Sequence, residues 1–318
     1  MSEASTRRED TAAATAPRSS PTLRAEEPVV FIDTKHRRRL HFLSPGERFH
    51  SAQGFIDNDD VLGKRPGAIV RTSKGAPFAV YRATFEEYVL LMKRAAQIVP
   101  PKDIPYIVQW ADVPEGGLVV EAGLGSGALC LALLRAVGAS GRVIAYEQRE
   151  DHAARGLKNI RGWPEGLATR LDARIGDVFT ELATLHAVDR LVLDLPEPWR
   201  ALEGAAAALA PGGIVVAYVP TIRQIDQFVL AALDHGGFAE PEVCELLLRP
   251  WKADRTRLRP DLKMVGHSGF LARCRRREYV PEDAAATGAR DAAADAPHNS
   301  AAAPETSPPA FDDTSDAG

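Results

Sequence analysis

The sequence predicts an α/β fold, a doubly wound parallel sheet preceded by a small N-terminal β domain, and three observations carry that prediction. From Asp103 onward, apolar strand-like runs alternate with segments of helical periodicity. The first of those strands, "GGLVVEAG", runs straight into a glycine-rich turn and then a helix. Ahead of them, residues 28–83 read as short alternating runs broken by "SPGE", "DNDD", "KRPG" and "SKGAP", each a turn motif.

The elements follow in order. Residues 1–27 and 281–318 are low in complexity and poor in large apolar groups, so both are expected to be disordered. After the β domain, "TFEEYVLLMKRAAQIV" has apolar residues at helical spacing. Thr84 and Glu87 are placed as a capping box, so a linker helix and turn are expected over 84–102. Residues 103–280 then form the α/β domain. "DIPYIVQWADV" is helical, "GGLVVEAG" a strand, "SGALCLALLRAVG" a helix and "GRVIAYE" a strand. "REDHAARGLKNIRGW" is a helix, "ARIGDV" the end of a short strand and "RLVLDLP" a long strand. A helix over "EPWRALEGAAAALAPGG" stops at Pro-Gly-Gly before the strand "IVVAYVP" and the helix "TIRQIDQFVLAALDHGG". Two final strands, "EPEVCELLLRPW" and "GHSGFLARCRR", give the sheet an antiparallel ending, which suits a methyltransferase-like rather than a dehydrogenase-like arrangement.

Composition excludes some classes. No run approaches ~18–20 uninterrupted apolar residues, so no membrane span is expected. The first twenty residues lack the apolar core of a secretory signal. Cys130, Cys244 and Cys274 lie far apart with no CxxC spacing, which argues against a disulfide framework or a zinc site and suits the cytoplasm. The net charge of −4 divides unevenly: residues 281–318 carry −7 and residues 1–27 carry −1, leaving +4 for the body. A mildly basic body is compatible with a nucleic-acid partner.

The candidate chemistry lies at strand ends. "VVEAGLGSGAL" places Gly123, Gly125 and Gly127 between a strand and a helix, where glycine permits a tight turn and close approach of a ligand. The spacing is GxGxG, not the dinucleotide GxGxxG. Glu147 closes the second strand, where an acid can accept hydrogen bonds from both ribose hydroxyls of a nucleoside cofactor; its alternative is a surface acid before a helix. Asp177 in "IGDV" could accept from an adenine amino group or simply serve a turn. Asp194 in "LVLDLPEPWR" ends an apolar strand before two prolines, either capping the next helix or standing at the mouth of an active site. Acids and a glycine loop at successive carboxyl ends of parallel strands favour S-adenosyl-L-methionine.

The segments "GKRPGAIVRTSKG", "PKD", "EAGLGSGALCLALLRAVGASGRVIAYEQREDH", "LDLPEPW", "YVPTIRQI" and "MVGHSGFLARCRR" resemble, in the same order, the tRNA (adenine-58-N1)-methyltransferase family over about 28–278. The resemblance implies a small N-terminal β domain and a Rossmann-like class I methyltransferase sheet. It also implies a homotetramer, S-adenosyl-L-methionine as methyl donor, and N1 of the T-loop adenosine of tRNA as acceptor. Carried over by position, the cofactor contacts are Gly123, Gly125, Ser126, Gly127, Ala128 and Leu129, with Glu147 at the ribose and Asp177 at the adenine. His152 lines the cofactor, and Asp194 is the catalytic acid. The family's aromatic residue before "PKD" is Pro100 here, so either Tyr106 or another ring stacks on the base or base capture differs. "GHSGF" stands where the family has "GHTGF", and Ser268 keeps the hydroxyl.

On this reading Asp194 accepts a hydrogen bond from the adenine N6 and stabilises the cation that develops on the ring. Trp199 is either a packing residue or a base contact, and Tyr218, Thr221 and Gln224 are candidate substrate contacts. "KHRRRLH" and "RCRRR" are either phosphate-binding patches or solvated charged edges. The rivals are a protein or small-molecule methyltransferase, a nicotinamide dehydrogenase, and a non-catalytic tRNA-binding subunit. The glycine spacing opposes the second, and the intact acids oppose the third.

Overall fold

The computed structural model describes residues 20–278. The expected acidic tail, 281–318, and residues 1–19 of the expected N-terminal tail lie outside the described residues.

Six strands make the N-terminal domain: β1 (Pro28–Asp33), β2 (Arg38–Phe42), β3 (Arg48–Ser51), β4 (Gly54–Asp57), β5 (Ala68–Arg71) and β6 (Pro77–Arg82). Four of them form an antiparallel sheet ordered β2-β1-β6-β5, and β3 pairs with β4 as a hairpin. Alternation of side chains gives the sheet two apolar faces. One face packs Phe31, Phe78 and Val80 against Phe49 and Ile56 of the hairpin, with the Phe31 and Phe49 rings stacked at 4.1 Å. The other packs Val30, with Ile32, Leu40 and Phe42, against the α/β body.

The expected disorder of 1–27 does not hold for residues 20–27. Leu23 is 1% exposed in the domain core. Its amide donates to Lys64 O and its carbonyl accepts from Gly63 N. Glu27 is buried against the Arg82 guanidinium, which also donates to Thr22 O. One leucine and one ion pair anchor a segment whose composition otherwise reads as disordered.

The linker helix is shorter than its periodicity predicts. The capping box forms: Thr84 Oγ1 accepts from Glu87 N at 3.1 Å, and Glu87 Oε2 accepts from Thr84 N at 3.0 Å. The helix, α1 (Phe85–Leu91), nevertheless ends well before Val99. The body captures the backbone beyond it. Asn159 Nδ2 donates to Lys93 O at 2.9 Å, and Ser126 Oγ accepts from the amides of Ala95 and Ala96 at 3.1 and 3.3 Å.

The body continues with α2 (Ile104–Trp110), β7 (Leu118–Ala122), α3 (Ala128–Ala136), β8 (Arg142–Glu147), α4 (Glu150–Gly162), β9 (Leu171–Ile175), α5 (Val178–Glu181) and β10 (Val188–Leu193). Then come α6 (Leu202–Ala208), β11 (Leu209–Val219), α7 (Ile222–His235), β12 (Glu242–Glu245), β13 (Trp251–Ala253), β14 (Leu258–Pro260) and β15 (Phe270–Arg275). Seven strands form one sheet ordered β12-β15-β11-β10-β7-β8-β9. β7 to β11 are parallel, and β15 runs antiparallel to both β11 and β12. Helices cover both faces, so the central parallel strands β7, β8, β10 and β11 bury mostly apolar side chains. Among the described residues, no helix is long and apolar enough to cross a membrane.

Two local expectations are corrected. Pro211-Gly212-Gly213 lies inside β11, where the register against β10 shifts between Val188 and Arg190, so the motif is a strand irregularity rather than a helix stop. The segment between β12 and β15 carries an additional hairpin, β13–β14. Strand order reverses at β7, which leads to β8 on one side and neighbours β10 on the other. Open α/β sheets bind ligands at such a switch point, beyond the carboxyl ends of the strands.

Candidate active site

A cleft of about 770 Å³ opens at that point. Its position follows from how closely β7 and β10 approach. Asp194 N donates to Ala122 O at 2.8 Å, so the two strand ends run on together past the sheet. Gly123 has φ +94°, and a Cβ there would collide with the Asp194 carbonyl. Only glycine permits this contact, which sets Asp194 beside the glycine loop.

Glu147, ending β8, is bound into the same loop. Its Oε2 accepts from Gly125 N at 2.9 Å and its Oε1 from Arg149 N at 3.1 Å. Gly123, Gly125, Glu147, His152 and Asp194 all line the cleft. Asp177 sits between Gly176 and Val178, which line it. Its Oδ1 also accepts from Phe179 N at 3.0 Å, capping α5, so the turn reading of that residue is realised.

Ser126, Gly127, Ala128 and Leu129 do not line the cleft. Ser126 is buried and holds the 95–96 backbone. Gly127 has φ +78°, and a Cβ there would meet Gly156 O and Ile160 at 3.0 Å, so it permits close packing on α4. Ala128 and Leu129 belong to the core. The turn of the loop points these side chains inward, a direction that motif spacing does not carry.

The cleft's electrostatics are one-sided. Asp194 is half-buried, and no hydrogen bond or ion pair engages its carboxylate among the described residues. Burial, reinforced by the Glu147 charge, pushes its pKa up to about 7. Below it Glu121, the acid preceding the loop, is 0% exposed. Burial pushes it to about 8 against the neighbouring Cys130 thiol, with Asp194 and Glu147 adding to the rise. Neither Glu121 oxygen has a hydrogen-bond partner of ordinary geometry among the described residues. Arg149 and Arg200 also line the cleft but pair with Asp151 and Glu197, each at 3.0 Å. Three carboxyl groups therefore influence one another beside a cavity whose two lining arginines pair with other acids.

The opposite wall comes from β11 and the loop before β15. Tyr218, Pro220, Gln224 and Ser268 line it. Tyr218 donates its hydroxyl to Ser268 O at 2.7 Å, and burial raises that phenol to about 12. Thr221 caps α7 instead and does not line the cleft. Trp199 packs against the core beneath the sheet, whereas Glu197 lines the cleft. Tyr106 does not line the cleft: it lines a separate small cavity with Leu246, Leu247 and Leu248, its ring centroid 5.5 Å from that of Trp110. The cleft instead has Phe179, with the Arg200 guanidinium 4.3 Å from its centroid, and an edge from Ala96 to Val99 that helical periodicity concealed.

The basic motifs are largely consumed internally. Arg37 pairs with Asp33 at 2.6 Å and Arg38 with Glu87 at 3.5 Å. Arg273 pairs with Glu242 and lies 4.9 Å over Trp110, while Arg276 donates to Ala206 O at 2.6 Å. Arg275 pairs in register with Ile214, at the sheet edge opposite the cleft. "RCRRR" therefore ends at the sheet edge away from the cleft, with Arg273 and Arg276 engaged within the chain.

Comparison with known proteins follows the same lines. A family model described as the tRNA methyltransferase complex GCD14 subunit matches residues 78–279, and one described as TrmI-like N-terminal matches residues 22–70. The tRNA (adenine(58)-N(1))-methyltransferase TrmI of Thermus thermophilus is 39% identical over 249 residues, 78% of this chain and 96% of the relative. A crystal structure of a SAM-dependent O-methyltransferase from Thermotoga maritima superposes with TM-score 0.76 at 34% identity, covering 82% of this chain and 96% of that one. The tRNA (m1A58) methyltransferase TrmI of Aquifex aeolicus superposes with TM-score 0.70 at 28% identity, covering 81% and 100%. The chain belongs to the TrmI/GCD14 family of tRNA (adenine(58)-N(1))-methyltransferases.

Proposed function

We propose that this chain methylates N1 of adenosine 58 in the T-loop of tRNA, using S-adenosyl-L-methionine as methyl donor. The observation that carries the reading is Asp194: it lines the cleft with its main chain packed against Gly123 of the glycine loop and, among the described residues, its carboxyl has no hydrogen-bond or ion-pair partner. The donor fits the cleft's charge. Among the described residues neither Glu147 nor Asp194 has an ion-pair partner, and this ligand brings a sulfonium and an ammonium group. Gly123 and Gly125 leave room for it to approach the main chain. Glu147 retains acceptor capacity for ribose hydroxyls, and Asp177 has Oδ2 free for an adenine amino group. His152 lines the same part of the cleft.

When bound, the donor supplies an electrophilic methyl group on a positively charged sulfur. In-line transfer would form the N1–methyl bond as the carbon–sulfur bond breaks with its electron pair left on sulfur, so the residues around N1 would face a ring that becomes positively charged. Asp194, ionised, accepts from the exocyclic N6–H. That contact raises electron density at N1 and strengthens as the ring becomes cationic, so it favours the transition state over the ground state. N1 lies on the Watson–Crick edge, so the nucleotide leaves its stack before reaching Asp194, at a cost of a few kcal/mol.

On the same reading the chain acts in the cytoplasm as a homotetramer. Leu247, Leu248, Trp251, Leu258, Leu262 and Val265 on the segment around β13 and β14 are exposed, which supports self-association through that segment.

Purified full-length protein with methyl-labelled donor and unmodified tRNA tests the reading. Labelled 1-methyladenosine is expected, and it should vanish when adenosine 58 is replaced by uridine. Label in another nucleoside, on a ribose oxygen, or only on a small phenol would overturn it, the last favouring O-methyl transfer.

A further inference from the structure

The loop Gly266–Gly269 is tied to the body by more contacts than chain continuity requires. His267 links two strand ends: Nδ1 lies 2.5 Å from Glu245 Oε1 at the end of β12, and Nε2 lies 2.7 Å from Pro220 O just after β11. Ser268 links two others. Its hydroxyl donates to Asp103 Oδ2 at 3.0 Å, and its carbonyl accepts from the Tyr218 hydroxyl at 2.7 Å. Asp103 is 1% exposed, and its other oxygen receives Lys102 Nζ at 2.7 Å; Lys102 in turn donates to Leu246 O at 2.7 Å. Gly269 has no left-handed backbone to explain it, yet a Cβ there would collide with the Tyr218 ring. Two independent features, a buried hydrogen-bonded acid and a glycine flat against an aromatic ring, thus fix the same side chain.

We propose that Ser268, held by the Lys102–Asp103 pair, is a positioning residue that sets the Tyr218 wall of the acceptor half of the cleft. The inference rests on the proposed methyl transfer to tRNA. Tyr218 and Ser268 line the cleft on the β11 side, whereas Gly125 and Glu147 occupy the β8 side. Moving Tyr218 therefore disturbs the acceptor and leaves the donor's contacts in place. Ser268→Ala removes one of the two partners of a buried carboxylate, so the loop and the phenol's acceptor shift together. Gly269→Ala reaches the same ring sterically without touching the polar chain.

The test measures donor affinity by calorimetry and steady-state tRNA kinetics for Ser268→Ala, Ser268→Thr and Gly269→Ala in the full-length protein. The expected result is a fall of about tenfold or more in kcat/KM for tRNA in the two alanine variants. Donor Kd should change by less than about twofold, and threonine should restore most of the loss. Equal losses in donor affinity and tRNA turnover would reduce the loop to a general structural support and overturn the proposal. So would unchanged kinetics in Ser268→Ala. If Gly269→Ala does not fold, the serine pair alone decides. Absence of 1-methyladenosine with the unsubstituted protein would overturn the underlying reading instead, and is distinguishable because it precedes any variant.

Discussion

Replacing Asp194 with asparagine separates its charge from its shape. Burial and the Glu147 charge move this carboxyl from its ordinary 3.8 to about 7, a bias against the ionised form worth roughly 4 kcal/mol. Because the group is only half-buried, solvent at the cleft mouth lowers the realised value to about 2–4 kcal/mol. Between about pH 4 and pH 7 the unfolded chain releases this proton while the folded one keeps it. The unfolded state then binds fewer protons, so this group's contribution to stability falls as pH rises through that window. An amide side chain at this position does not titrate. Asp194→Asn should therefore be nearly neutral at about pH 4 and stabilise the protein by about 2–4 kcal/mol at about pH 8, read from urea melts across that range.

Activity should move the other way. On the proposed mechanism the ionised acid is the stronger acceptor from N6 and alone carries the charge that offsets the developing cation, so kcat/KM for tRNA in the unsubstituted enzyme should rise through a pKa near 7. The Asp194→Asn variant should lose about 10²–10³-fold in kcat, the cost of removing one group that stabilises developing charge. A stability difference that is flat across pH would refute the assignment of Asp194 to a desolvated, charge-repelling position. Normal turnover in the variant would refute its catalytic role.

Two other substitutions probe the site's support. Glu147→Gln should weaken donor binding by about 1–3 kcal/mol in calorimetry, because a charged acceptor bound to Gly125 and Arg149 becomes neutral. Asn159→Ala removes two hydrogen bonds, to Lys93 O and Ser126 O at 2.9 Å each, and should destabilise the fold by about 1–3 kcal/mol. It should also free the 93–99 edge of the cleft, read as faster amide exchange there than in β7.

How much of this was legible in the sequence depended on how local each cause was. Gly123, Glu147 and Asp194 lie at strand ends, and an alternation of strands and helices puts strand ends on one edge whatever the packing details. The cap reading of Asp194 is set aside only by the structure: Glu197 precedes the next helical turn, and among the described residues Asp194 caps no helix. Asp177 caps α5 with one oxygen and stands at the cleft's edge with the other free, so the turn reading and the ligand reading are compatible. The 93–99 segment could not be read, because its apolar spacing continues the helix while Ser126 and Asn159, distant in sequence, take its backbone groups. The inward turn of Ser126 to Leu129 and the β13–β14 hairpin were hidden for the same reason, as products of tertiary packing without a local pattern.

Glu147 and Asp194 both line the cleft, and under the proposed methyl transfer their places in the sheet would give them different tasks. Glu147 ends β8 and Asp194 follows β10, with β7 between them, a separation of about 10 Å across two strand spacings. Methyl transfer creates no net charge in the cleft; it moves one positive charge from sulfur to the adenine ring. A carboxylate held in place by backbone amides at the donor end attracts that charge before the reaction and loses part of the attraction during it. Asp194, unengaged and on the acceptor side of the glycine loop, gains attraction over the same step. On the proposed reaction Glu147 would therefore act on binding and Asp194 on the barrier. Substitution at Glu147 should appear in the donor KM with kcat largely kept, and substitution at Asp194 in kcat with the donor KM little changed.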